Sequence, residues 1–68
     1  MKITVNGNQK DFASGGTVTD LIKTENVKMP DMVSVELNGK ILKRPEFETT
    51  RLNEGDQVEF LYFMGGGR

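Results

Sequence analysis

Apolar and polar residues alternate along two stretches of the chain and at the start of a third, and alternation places the apolar side chains on one face of a β-strand. These stretches are residues 1–6, 33–38 and 58–63. The dipeptide Asn-Gly, which favours a two-residue hairpin turn, begins at Asn6 after the first stretch and at Asn38 after the second. We therefore expect residues 8–12 and 40–43 to form strands that pair back on the first two stretches.

The residues between the first hairpin and the second alternating stretch change to a helical pattern. Val18, Leu21 and Ile22 recur at the spacing that places apolar side chains on one face of a helix. Thr17 stands just before them and Asp20 follows three positions later, which is typical of a capped helix N-terminus. We expect a short helix that starts after Thr17 and ends near residue 25 or 26.

Prolines mark the ends of elements in the second half of the chain. Residues 28–31, which include a proline, predict a loop after the helix. Pro45 cannot donate a hydrogen bond to a sheet, so we expect it to end the strand at residues 40–43. A residue that precedes proline is biased away from helical geometry, and we therefore expect Arg44 to be extended.

The order of elements predicts the fold class. Residues 46–50 suit a helical turn or an irregular segment, and residues 53–56 suit a tight turn before the last strand. Hairpin, helix, hairpin and closing strand predict a two-layer α+β fold, with a mixed sheet of four to five strands packed on one helix. This is the plan of the β-grasp (ubiquitin-like) fold, although alternation alone does not give the strand order.

The closing strand has two different faces just before a glycine-rich chain end. If Val58, Phe60 and Tyr62 point into the core, Leu61 and Phe63 point outward on the other face. Exposed apolar residues in such a place are typical of a docking patch for a partner protein. The alternatives are that a neighbouring segment covers the two outward residues or that the two faces are reversed.

Length and composition exclude several classes of function. A chain of 68 residues buries only about 60% of its unfolded surface, which leaves little room for a substrate pocket. It contains no cysteine or histidine, and so lacks a thiolate nucleophile and the commonest general base and metal ligand. A net charge of −1 gives no attraction for nucleic acid or an anionic membrane. We expect a soluble cytoplasmic protein that is not an enzyme and has no metal site.

Four segments and a terminal glycine run carry a family resemblance. In one-letter code the segments are MKITVNG from residue 1, TVTDLI from residue 17, VELNGKILKR from residue 35 and LNEGDQVEF from residue 52. In order and spacing they resemble the ThiS branch of the ThiS/MoaD family of sulfur carriers. Members of the MoaD branch are less similar, since they are usually longer and carry prolines before the glycine pair. The resemblance implies a β-grasp domain over residues 1–63 and a flexible tail over residues 64–68.

The resemblance implies that the chain end is the working part. In this family an E1-like adenylating enzyme uses ATP to activate the carboxylate of the terminal glycine, and a sulfur donor converts it to a thiocarboxylate. The matching positions are Gly67 and Gly66, while Gly65 gives the tail the backbone freedom to thread a narrow channel. The implied function is sulfur delivery to a thiazole synthase in thiamin synthesis, with no cofactor bound to the chain itself.

Arg68 departs from the family pattern, in which the reactive carboxylate belongs to a terminal glycine. We expect a processing protease to remove Arg68 and expose Gly67, or Gly66 if only two glycines are needed. The alternatives are that Arg68 is an added residue or that this copy is not a functional carrier. For an arbitrary domain a Gly-Gly-Gly-Arg end is a disordered terminus, and the resemblance upstream favours the functional interpretation.

The remaining sequence-based expectations concern surface residues and alternative functions. Arg44 stands where the family commonly has a basic residue, and it or Arg51 is a candidate for docking an acidic partner surface; an ordinary solvated charge is the alternative. Met29, Met32 and Met64 are expected to fill gaps in the core. Sulfur delivery to molybdopterin or amino-acid synthesis stays open, as does a ubiquitin-like interaction module whose tail is never activated.

Overall fold

A computed structural model describes residues 1–62 of the chain. The secondary-structure elements in this part follow the predicted order. Five strands and two short helices make up this part of the chain. They are β1 Lys2–Val5, β2 Asn8–Asp11, α1 Val18–Thr24, β3 Ser34–Leu37, β4 Lys40–Ile41, a 3₁₀ helix Arg44–Phe47 and β5 Gln57–Leu61. The first four elements match the prediction closely, and β4 is two residues shorter because its pairing with β3 ends at Ile41.

The five strands form one mixed sheet in the order β2-β1-β5-β3-β4. β1 and β5 run parallel in the middle of the sheet, with Val5 opposite Val58, and the other neighbouring strands are antiparallel. The last strand of the chain is therefore held between β1 and β3. This arrangement confirms the predicted α+β, β-grasp fold.

Both hairpins turn at the Asn-Gly dipeptides that the sequence indicated. Asn6 and Gly7 have φ values of +51° and +84°, and Asn38 and Gly39 have values of +51° and +86°. Two successive residues with positive φ are the signature of the turn whose twist matches that of paired strands, and asparagine followed by glycine adopts it at least cost. The turn chemistry thus fixes the register of both hairpins.

The N-terminus of α1 has the capping interactions that Thr17 and Asp20 predicted. The Asp20 backbone N–H donates to the Thr17 hydroxyl oxygen, and the Thr17 backbone N–H donates to the Asp20 carboxylate at 3.0 Å. These bonds satisfy two N–H groups that a helix otherwise leaves without partners. A helix of seven residues is too short to be stable alone, so the cap and the core together hold it.

The capping interaction makes the stability of the protein depend on pH in the acidic range. The pKa of Asp20 is lowered from 3.8, chiefly because its carboxylate accepts hydrogen bonds from the Thr17 backbone and hydroxyl. A lowered folded-state pKa contributes stability that is present above the unfolded-state pKa and is lost as pH falls through the folded value. We therefore expect Asp20→Ala to have a lower free energy of unfolding than wild type. The difference, measured by urea unfolding, should be largest above pH 3.8 and should shrink below it. A difference that stays constant with pH would contradict this role.

The hydrophobic core joins one face of the sheet to α1. Nine buried side chains are packed together in it: Ile3, Val5, Phe12, Val18, Leu21, Val35, Phe47, Leu52 and Val58. Val58 is fully buried, and Phe60 and Leu37 pack against the cluster from its edge. The core therefore anchors β5 directly, and through β5 it fixes where the chain leaves the sheet.

Two sequence-based expectations about the surface are wrong. Arg44 is not extended but begins the 3₁₀ helix, since Pro45 lies in its first turn, where no N–H donor is needed, and Glu46 accepts from the Lys43 N–H at 2.7 Å. Met29 and Met32 do not fill core gaps, because their side chains are 59% and 61% exposed. Met64 lies outside the described residues.

Candidate functional site

The predicted working end of the chain leaves the fold from the central strand β5. Leu61 ends β5 opposite Ser34, the first residue of β3. The chain therefore leaves the sheet beside residues 25–33, which connect α1 to β3 and are called the α1–β3 loop below. Residues 61–62 are called the tail root. The remaining predicted site residues lie outside the described part of the chain, and their roles stay predictions: Phe63, Gly65, Gly66, Gly67 and Arg68.

Alternation predicted that Tyr62 points into the core. This prediction is wrong, because Tyr62 is 41% exposed. Its hydroxyl donates a hydrogen bond to the carbonyl oxygen of Lys28, at 2.7 Å. The strand pairing of β5 ends at Leu61, so the Tyr62 side chain is free of the sheet, and its polar tip finds a backbone partner. The tail root is thereby tied to the α1–β3 loop.

Leu61 lies on the face of the sheet away from the core and is partly buried. Its cross-strand neighbour is Ser34, and the next pair on this face is Glu36 opposite Glu59. The nearest neighbours of Leu61 on this face are therefore polar, and the exposed Ile41 on β4 lies farther across the same face, opposite Glu36. Whether Leu61 forms a docking patch with Phe63 stays a prediction.

Arg44 is used inside the fold. Its two terminal N–H groups donate to the carbonyl oxygens of Pro30, at 3.0 Å, and Val33, at 2.7 Å. The guanidinium carbon also lies 5.1 Å from the centre of the Phe47 ring, within the range of a cation–π interaction. Arg44 therefore holds the α1–β3 loop against the 3₁₀ helix, and the predicted contact with a partner stays untested.

Replacing Arg44 by alanine is expected to destabilise the protein by roughly 1–3 kcal/mol, since two carbonyl groups lose a charged donor. Arg51→Ala is a matched control, because Arg51 makes one long hydrogen bond, of 3.4 Å, from its side chain to the Gly15 carbonyl. Urea unfolding of both variants and wild type measures the difference. Equal losses for the two arginine variants would contradict the structural role of Arg44.

A groove of about 360 Å³ lies between α1, the α1–β3 loop and the 3₁₀ helix. Its apolar lining comes from Ile22, Val27, Pro30 and Phe47. Lys23 and Arg44 carry positive charge at the groove, and Asp31 and Glu48 carry negative charge. The balance of charges gives the groove no preference for an anion or a cation, and its lining suits an apolar group.

Two kinds of site were sought in the part of the chain that the structure describes. Among residues 1–62 there is no cluster of His, Cys, Asp and Glu that could hold a metal ion. Neither helix in this range combines the length and the hydrophobicity of a membrane span. The features that distinguish the candidate site are an anchored central strand, a tied tail root and the loop beside it. Sequence reasoning missed the Tyr62–Lys28 contact, because alternation extended the closing strand past Tyr62 and no local pattern links two residues 34 positions apart.

The chain matches a family model and is similar to two solved structures. The model describes the ThiS family and matches residues 3–67. A crystal structure of a thiamine biosynthesis protein (ThiS) from Geobacter metallireducens is 46% identical, with a TM-score of 0.91 over 98% of this chain and all of that one. A solution NMR structure of a thiamine biosynthesis protein from that organism is 47% identical, with a TM-score of 0.78 over all of this chain and 90% of the other.

Two curated relatives are much longer than this chain. A thiazole synthase of Paramagnetospirillum magneticum is 33% identical over 67 residues, which are 98% of this chain and 20% of the relative. A thiazole synthase of Magnetococcus marinus is 34% identical over 68 residues, which are 100% of this chain and 21% of the relative. The chain thus spans about a fifth of the length of these relatives.

Proposed function

Because the chain belongs to the ThiS family, we propose that it is a sulfur carrier whose C-terminal carboxylate is adenylated, converted to a thiocarboxylate and used to make the thiazole ring of thiamin. The family match and the similarity to two ThiS-type structures support a role in thiamine biosynthesis. The thiocarboxylate and its activation are the proposed part of the function.

One observation carries the proposal: the family match continues past the folded body to Gly67 and stops before Arg68. The match therefore includes all three glycines of the tail, which a conserved fold alone would not require. The chain also lacks cysteine, so no side-chain thiol is present to carry transferable sulfur. The terminal carboxylate is the position at which sulfur can be held covalently.

The chemistry requires a tail that can enter another protein. A carboxylate oxygen attacks the α-phosphorus of ATP in the active site of the partner, and pyrophosphate leaves. Sulfur at the oxidation level of sulfide then attacks the acyl carbon, and AMP leaves with the original oxygen, so that a thiocarboxylate remains. Glycines without Cβ atoms let the backbone pass through a narrow channel to this site. The folded body supplies a fixed starting point at the tail root.

The proposed partners follow from this chemistry. An E1-like adenylating enzyme would supply the ATP site, and a separate donor system would supply the sulfur. A thiazole synthase is proposed as the acceptor, because two curated relatives with that name contain a region similar to this whole chain. In each of those relatives the similar region belongs to the same polypeptide as the rest of the protein, which favours a direct contact between this chain and a thiazole synthase.

Arg68 is proposed to be removed before activation, because it follows the last residue of the family match. Its removal would place the reactive carboxylate on Gly67. Intact-mass measurement of the protein purified from its own cells tests this step and is expected to find a species that ends at Gly67 or Gly66. A population that ends only at Arg68 would reject trimming.

Growth of a strain that lacks its own thiazole sulfur carrier tests the function as a whole. Expression of this chain, with the adenylating enzyme and synthase of the same organism, is expected to remove the requirement for added thiazole or thiamin. An unchanged requirement, with the three proteins present at normal levels in the cell, would reject the proposed pathway.

A further inference from the structure

The groove between α1, the α1–β3 loop and the 3₁₀ helix presents apolar side chains at the surface of the described fold. Of the residues that line it, Ile22 and Val27 are only partly buried and Pro30 is exposed. Its volume of about 360 Å³ is at the small end of the range for ligand pockets. The groove therefore suits one or two apolar side chains better than a large ligand.

The groove lies beside the point at which the described chain ends. The Tyr62 hydroxyl bonds to the carbonyl of Lys28, and Lys28 directly follows Val27, which lines the groove. A second link runs through Val33, which directly precedes the residue paired with the end of β5. The carbonyl of Val33 accepts a hydrogen bond from Arg44, another lining residue. The chain that continues from the tail root therefore starts next to the groove.

Six residues follow Tyr62, and the first two of them, Phe63 and Met64, are apolar. Successive side chains of an extended chain point in opposite directions. An extended continuation would therefore direct Met64, like Tyr62, toward the α1–β3 loop and direct Phe63 away from it. Two extended residues span about 7 Å, so Met64 stays close to the loop that Tyr62 contacts.

Methionine suits this groove in shape and in chemistry. Its unbranched thioether side chain adapts to irregular apolar gaps, and its sulfur is attracted to the edge of an aromatic ring. The lining offers aliphatic carbon from Ile22, Val27 and Pro30 and an aromatic ring from Phe47. An apolar gap for Met64, which the sequence predicted in the core, is thus available at the surface.

We propose that the groove binds the chain's own tail, with the side chain of Met64 between α1 and the 3₁₀ helix, whenever no partner holds the tail. This contact involves one chain only and does not rest on the proposed function. Burial of one methionine side chain contributes a free energy similar to the entropic cost of ordering two residues, so the contact opens readily. A partner that uses the tail must displace Met64, and its apparent dissociation constant rises as the fraction of open chains falls.

Nuclear Overhauser effects, measured by NMR on a dilute sample of the full chain, test this contact. The methyl group of Met64 is expected to show cross-peaks to the methyl groups of Ile22 and Val27 and to the ring of Phe47. The signals of the same three lining residues are expected to shift in a chain that ends at Tyr62, because its groove has lost the methionine.

Two glutamate variants in the α1–β3 loop separate the groove from the rest of the loop. Val27→Glu places a charge in the groove and is expected to remove the cross-peaks from Met64 to Ile22 and Phe47. Met29→Glu is the matched control, because it places the same charge in the same loop at a residue outside the lining, and it is expected to keep them. Circular dichroism shows whether each variant is folded, and the wild-type cross-peaks decide the question if Val27→Glu is not.

Three results would overturn the proposal. The first is the absence of the wild-type cross-peaks, with groove signals that are unchanged in the chain that ends at Tyr62. The second is an equal loss of cross-peaks in Met29→Glu and Val27→Glu. The third is cross-peaks that appear only between differently labelled chains in a mixed sample, which would assign the groove to the tail of a second copy. Because no partner protein is present, each of these results would leave the sulfur-carrier proposal standing.

Discussion

Replacing Leu21 by alanine is expected to remove most of the stability of the protein. Leu21 is 1% exposed and lies in α1, where it packs in the core that joins the helix to the sheet. A leucine truncated in such a core costs about 2–5 kcal/mol, from lost burial and the cavity that remains. Domains of this size have stabilities near the lower end of about 5–15 kcal/mol. The variant should therefore be close to unfolding without any denaturant.

Urea unfolding of wild type, Leu21→Ala and Ile41→Ala measures this effect. Ile41 is 49% exposed on the edge strand β4, so its truncation is expected to change stability by less than about 0.5 kcal/mol. A loss below about 1 kcal/mol for Leu21→Ala would show that α1 contributes little to the core. That result would contradict the two-layer arrangement on which the position of the tail root depends.

Deleting residues 65–68 is expected to abolish sulfur carriage and leave the fold intact. The core residues and all five strands lie within residues 1–61, so the unfolding free energy should change by less than about 0.5 kcal/mol. Under the proposed function, the carboxylate of the shortened chain lies at Met64 and is expected to stop short of the ATP site of the adenylating enzyme. The loss of function should therefore be complete rather than partial, in contrast to the effect of a surface substitution.

Thiazole-independent growth of a carrier-deficient strain measures the effect of the deletion. Chains that end at Gly67 and at Gly66 are the controls, and the one that matches the mature end is expected to support growth without the processing protease. A deleted chain that supports growth as well as wild type would contradict the carrier function. It would favour an interaction module whose tail is never activated.

Local sequence signals predicted most of the secondary structure because they act over a few residues. The Asn-Gly turns, the Thr17–Asp20 cap and the apolar face of α1 each depend on contacts between near neighbours, and all are found in the structure. The parallel pairing of β1 with β5 could not be predicted in this way. It joins Val5 to Val58, and alternation says which face a residue occupies but not which strand lies beside it.

The wrong predictions concern residues whose position is decided by a long-range contact rather than by a local sequence rule. Alternation placed Tyr62 in the core, but the sheet ends at Leu61 and the tyrosine hydroxyl bonds to Lys28 instead. The rule for residues before proline predicted an extended Arg44. In the structure Arg44 begins a 3₁₀ helix, and its side chain donates hydrogen bonds to the carbonyls of Pro30 and Val33. Both contacts join the α1–β3 loop to distant residues, so no short sequence window contains them.

Only part of the candidate site could be predicted from the sequence. The glycines of the tail and the absence of cysteine and histidine pointed to the chain end, and the family match supports that interpretation. The exposed methionines beside the tail root were expected to be buried, because methionine is common in cores. Their exposure follows from the hydrogen bonds that hold the α1–β3 loop on the surface, which only the folded structure contains.

The most direct test of the sulfur-carrier proposal is the intact mass of the chain that ends at Gly67, after reaction with the adenylating enzyme of the same organism, ATP and a sulfur donor. The proposal predicts a mass increase equal to the replacement of one oxygen by sulfur, only when ATP is present, and located by fragmentation at Gly67. An unchanged mass after a reaction in which ATP is consumed, or sulfur located at an internal residue, would contradict it.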